Sequence, residues 1–98
     1  MVPPQSPTWA LAEGIQLLWR EWGEAHVAYD SGSGSTHLFD PVTSIAIQHL
    51  QRHPARLADL VSHVSLRLEV EADQTLRNQL EQALAKLETL GILEANYQ

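Results

Sequence analysis

The sequence predicts an α+β domain in which a three-stranded antiparallel sheet precedes three helices. Three observations carry that expectation. Between residues 15 and 39 apolar side chains recur mainly at every second position, the period of a half-buried strand. From residue 42 they recur every three or four positions, the period of a helix packed along one face. The two kinds of segment are segregated along the chain and do not alternate, which favours α+β over a parallel α/β sheet. With 98 residues and 44% hydrophobic content there is material for one core and too little for two. The chain therefore reads as a loose arm over residues 1–8 and a single domain over 9–98.

The arm holds Pro3, Pro4 and Pro7 with little to bury, and Trp9 pins its end. Ile15, Leu17 and Trp19 then fall on one face of a first strand, and Trp22, Gly23 and Glu24 supply a turn. Ala25, Val27 and Tyr29 oppose His26, Ala28 and Asp30 in a second strand. The Ser31-Gly32-Ser33-Gly34-Ser35 loop leads into a third, Thr36 to Phe39, because serine and glycine there favour a turn between strands. Asp40-Pro41 changes the regime: the carboxylate can cap a helix, and proline fits the first helical turn, where its missing N–H costs nothing. Val42, Ile45, Ala46, His49 and Leu50 mark that helix, and Pro54 ends it by disfavouring helical geometry at His53. Leu57, Leu60, Val61, Val64 and Leu68 mark a second helix over residues 55–68, followed by an acidic connector with Asp73 or Thr75 as the next cap. In the third helix Leu76, Leu80, Ala83, Leu84, Leu87 and Leu90 lie within an arc of roughly 120°. Gly91 stops it in a left-handed conformation, and Ile92 and Leu93 tuck back onto the core.

Composition narrows the chemistry. There is no cysteine, so disulfides, thiolate metal sites and cysteine nucleophiles are excluded. Twelve acidic residues against six basic ones, a net charge of -6, make attraction to nucleic-acid phosphates or anionic lipid weak. No apolar run approaches the roughly 20 residues of a membrane crossing, and the expectation is a soluble, cytoplasmic protein. Asp30, Ser31, Ser35, His37 and Asp40 offer the residue types of a nucleophile, a base and an orienting carboxylate. The same types are the commonest turn and cap formers, which accounts for them better. A phosphate cradle made of the Ser-Gly loop would have to open onto a helix N-terminus, whereas this loop joins two strands. His49 and His53 are four apart and share a helical face, but a catalytic zinc needs three protein ligands, and spacing does not select a third from His26, His37 or His63. Trp19 and Trp22 flank Arg20 and read as sheet-core or subunit packing in preference to stacking on nucleobases. No catalytic set, metal or cofactor is expected.

The string Trp19-Arg20-Glu21-Trp22, Val27-Ala28-Tyr29, Ser31-Gly32 and Ser35-Thr36-His37-Leu38-Phe39-Asp40-Pro41 resembles the PqqD family. It is most similar to the branch of PqqD-like peptide chaperones that accompany kinases related to HPr kinase. In that branch a Trp-rich first strand and a Ser-Gly-x-Thr-His-Leu-Leu segment recur. Here two extra residues, Ser33 and Gly34 or their neighbours, lengthen the loop, and Phe39 stands at the second leucine. The ending Leu87-Glu88-Thr89-Leu90-Gly91-Ile92-Leu93 is similar too.

The resemblance implies a small winged helix-turn-helix-like peptide recognition element. In such an element the leader peptide of a ribosomally made precursor adds as a strand beside the third strand, rests on the third helix, and is presented to a modifying enzyme. Carried onto this chain, it implies peptide contacts at Ser35, Thr36, His37, Leu38 and Phe39, with Arg77, Leu80, Glu81 and Leu84 placed by helical register. An open sheet edge suits that task, because its unpaired N–H and C=O groups bind backbone while neighbouring pockets select side chains. The helix order also suits a winged-helix DNA-binding protein. Against that, the third helix carries one acid more than base among Asp73, Arg77, Glu81, Lys86 and Glu88, a poor complement to a major groove. Without peptide, the open edge or exposed tryptophans can pair two copies across a two-fold axis, so a homodimer is a further expectation.

Overall fold

The computed structural model describes residues 7–22 and 25–97, without the side chains of Trp22 and Ala25. The elements are β1 (Thr8–Leu11), β2 (Leu17–Trp22), β3 (Ala25–Asp30), β4 (Ser35–Phe39), α1 (Pro41–Arg52), β5 (Ala55–Arg56), α2 (Leu57–Leu68), α3 (Gln74–Thr89) and β6 (Leu93–Asn96). The architecture is α+β, with three helices and two antiparallel three-stranded sheets ordered β2-β3-β4 and β5-β1-β6. The expectation of a single sheet is therefore corrected. Strands β2 and β3 are those that period-two spacing marks out, and β4 is the short segment expected after the Ser-Gly loop. The second sheet is built from segments of two to four residues, too short to display a period.

That second sheet also revises the arm. Thr8 pairs with both Arg56 and Asn96, and Trp9 with Ala55 and Ala95, so residue 8 is a strand position; residues 1–6 lie outside the described part. Of the turn expected at 22–24, Trp22 pairs within β2, and residues 23 and 24 lie outside the described part. Strand β5 takes the two residues that helical spacing assigned to the start of α2, because Ala55 and Arg56 bond to β1 instead.

The helix ends follow from their caps. The Asp40 carboxylate accepts the Thr43 N–H at 2.7 Å, and the Asp73 carboxylate accepts that of Leu76 at 2.9 Å, each satisfying an otherwise orphaned donor. At the end of α3, Gly91 adopts φ +80°. Its N–H donates to Glu88, and the N–H of Ile92 donates to Leu87, the paired bonds of a Schellman cap. This turns Ile92 and Leu93 into the core beside Leu76, Leu80, Leu84 and Leu87. From α1 and α2 come Ala46, Ile47, Leu50, Leu60, Val61 and Val64, and from the larger sheet Leu17 and Ala28.

Pairing register fixes the faces of the larger sheet. Trp19, Ala28 and His37 lie opposite one another, so they share the face on which Ala28 is buried. The Trp19 indole N–H donates to the Gln51 side-chain oxygen at 2.5 Å, and the Gln51 amide donates to the Leu17 carbonyl at 3.2 Å, tying α1 to β2. Leu18, Tyr29 and Leu38 occupy the opposite, exposed face.

Candidate functional site

Strand β4 is an edge strand: β3 pairs with one side of it, and among the described residues no strand pairs with the other. A cleft of about 470 Å³ lies along this strand, between β4 and α3. Thr36, His37, Leu38 and Phe39 form its strand wall, Asp40 and Thr43 close the end where α1 begins, and Gln79, Gln82, Ala83, Lys86, Leu87 and Leu90 form the helical wall.

The strand wall is braced from behind. His37 and Phe39 are half-buried while Ser35, Thr36 and Leu38 are exposed, the alternation that strand geometry imposes. The His37 and Phe39 rings stack with centroids 5.7 Å apart and 14° between planes, and Phe39 meets Trp19 at 5.9 Å. These contacts leave the outer backbone of β4 and the Leu38 side chain facing outward.

The Asp30 side chain organises the loop that delivers β4. One carboxylate oxygen accepts the N–H groups of Gly32 at 3.0 Å and Gln16 at 3.3 Å, while the other accepts the Ser33 hydroxyl at 2.8 Å. The Ser33 bond, joined by those from Gly32 and Gln16 and by nearby His37, holds the carboxyl below the ordinary aspartate range despite the opposing effect of burial. Gly32 is required by close approach: a β-carbon there would lie 2.8 Å from the Gly14 carbonyl oxygen. Asp30 thus serves the β3–β4 turn, the role that turn chemistry gives such residues.

Of the peptide contacts implied for the third strand, Thr36, His37, Leu38 and Phe39 line the cleft, and Ser35 begins the same strand outside the lining. None of the four implied helix positions lines it. Leu80 and Leu84 are 0% and 1% exposed, inside the core. Arg77 and Glu81 pair with each other at 3.5 Å, one turn apart and away from the cleft wall. The physical reason is rotational register: the leucine stripe faces the core, so the cleft receives the adjoining face, Gln79, Gln82, Ala83, Lys86 and Leu90. The missed signal was the margin of the stripe, where small Ala83 and exposed Leu90 sit beside polar neighbours.

Chemically, the cleft joins apolar surface from Leu38, Phe39, Ala83, Leu87 and Leu90 to the amides of Gln79 and Gln82. Lys86 is its cation, and the carboxylate of Asp40 is engaged at the α1 cap. This combination suits an extended chain with mixed side chains. Elsewhere, His49 and His53 do lie against each other, but among the described residues no group of three or more histidine or acidic side chains is arranged to hold a metal ion. Among those residues, too, no helix is long and apolar enough to cross a membrane.

No protein-family model, curated protein or solved structure matches the chain.

Proposed function

We propose that this chain is a non-catalytic peptide-binding module of the PqqD-like kind, taking an extended peptide as an added strand along the free margin of β4. The observation that carries the reading is the coincidence of that margin with a helical wall: backbone pairing on β4 supplies affinity, and the α3 face supplies selectivity. Further support comes from the α+β order in which the larger sheet precedes α1, α2 and α3 along the chain. The peptide is the leader of a ribosomally made precursor, and the recipient is a modifying enzyme or a protein related to HPr kinase. Both identities rest on the sequence resemblance. The net charge of -6 disfavours the competing DNA-binding use of the same helices.

Titration of the isotope-labelled chain with synthetic peptides from short reading frames beside its gene tests the proposal by NMR. Binding should move amide signals of residues 36–39 and of the Gln79–Leu90 face. Ala83→Arg, which projects a long charged side chain into the cleft, should weaken binding at least about tenfold, the equivalent of one lost close-packed contact. Arg77→Ala should leave affinity nearly unchanged, since Arg77 lies off the cleft wall. Binding that ignores Ala83→Arg, or shifts confined to other surfaces, would remove the basis of the proposal.

A further inference from the structure

Away from the cleft, three of the chain's five histidines meet where the end of α1 lies on α2. His49 stands in the last turn of α1, His53 is that helix's C-cap residue, and His63 lies within α2. The His49 ring touches both neighbours: its centroid is 4.6 Å from that of His53, nearly perpendicular at 83°, and 4.3 Å from that of His63, tilted by 37°. Four-residue spacing accounts for the first contact, and packing of α1 on α2 for the second.

Contacts this close suit neutral rings. Edge-to-face and stacked aromatic pairs attract through their ring charge distributions, whereas two imidazolium ions at about 4–5 Å repel unless water or an opposite charge intervenes. The surrounding charge compounds the problem. Arg52 of α1 acts on both His49 and His63, and Arg67 of α2 acts on His63. The carboxylate acting on the cluster is Asp59 of α2, which favours a proton on His49 and accepts the Arg56 N–H at 3.4 Å. Strands β1 and β3 and helix α3, which also pack on α1, contribute none of the charges acting on His49 and His63 among the described residues. Burial first, then the neighbouring rings and arginines, hold His49 and His63 below the ordinary histidine range.

We infer that His49, His53 and His63 form an acid-released latch, whose packed rings clamp the last turn of α1 to α2 and which lets go when His49 and His63 take up protons. When the helices part, His49 and His63 regain water and their ordinary proton affinity, so the open form binds more protons than the closed one. Closure is therefore favoured more strongly as pH rises. The latch is fully effective above the ordinary histidine value of about 6.5 and is lost as pH falls through that value toward the lowered ones. At its other end α1 carries Thr43, which closes the end of the cleft, so release reaches the candidate site through one helix. The latch itself stands independently of any peptide.

The test uses the whole chain without peptide. NMR titration of the imidazole carbons between pH 5 and 8 should place His49 and His63 below about 6.5. Amide exchange in the last turn of α1, corrected for intrinsic rates, should lose roughly tenfold protection between pH 7.5 and 5.5. His63→Gln should abolish most of that loss, while His26→Gln, on β3, should retain it. Protection that does not change with pH, or an equal loss in His63→Gln, would overturn the latch. Should His63→Gln fail to fold, the unsubstituted chain decides: titration of His49 and His63 at or above the ordinary value rules it out.

Discussion

Leu80 and Ala83 stand three residues apart on α3 and divide its work between core and cleft. Leu80 is fully enclosed among the packed residues of the helices and β6, whereas Ala83 is half-buried on the cleft wall. Leu80→Ala should cost about 2–5 kcal/mol, the usual loss for deleting an enclosed leucine side chain, measured as a lower urea midpoint. Affinity per folded molecule should change little, because the deleted atoms do not face the cleft. A Leu80→Ala protein of undiminished stability that had lost peptide binding would return this leucine to the contact set that helical register alone suggested. The same reasoning explains why Ala83→Arg is the sharper probe of binding: it adds bulk where the fold leaves room.

At the scale of elements, local chemistry decides where each helix stops, and one stop carries strain. Glu69 ends α2 in the left-handed region, at φ 54° and ψ 45°, with the N–H of Val70 bonded to the Ser65 carbonyl at 3.1 Å. A side chain there costs about 1–2 kcal/mol relative to glycine, partly offset by the greater freedom that glycine gives the unfolded chain. Glu69→Gly should therefore stabilise the domain by about 0.5–1 kcal/mol, and thermal melting that shows a loss instead would mean the Glu69 side chain holds more than its backbone. Glutamate also explains why this cap was illegible in the sequence, while Gly91 announced its own. The Asp40-Pro41 start and the Pro54 boundary were legible for the same reason, since each is dictated by one residue's conformational preference or by a single hydrogen bond, while the α3 cap was narrowed only to Asp73 or Thr75 until the Asp73–Leu76 bond decided it. Strand β5, two residues long, and the cleft-facing side of α3 were not. The first depends on a partner some 46 positions away, and the second on a rotation about the helix axis that a 120° apolar stripe leaves loose.

At the scale of the whole molecule, the second sheet changes what holds the domain together. Strand β1 is its central member, bonded to β5 at the α1–α2 junction and to β6 beyond α3. It also packs on α1, and Trp9 and Leu11 lie against the core. The segment thus joins the beginning of the described chain to its end. A chain beginning at Ala12 leaves β5 and β6 without their shared partner and uncovers the core beside Trp9 and Leu11. Loss of those two partly buried side chains alone amounts to about 2–4 kcal/mol, which for a domain of this size lowers Tm by roughly 10 °C or more. The loss should appear as one cooperative transition moved downward, with amides of β6 and of the α1–α2 junction losing protection together. Were β1 to contribute nothing to the packing, the shortened chain would melt with the full one. Equal melting temperatures would mean that the helices and the β2-β3-β4 sheet carry the stability by themselves, and that the small sheet merely rests on a domain already complete.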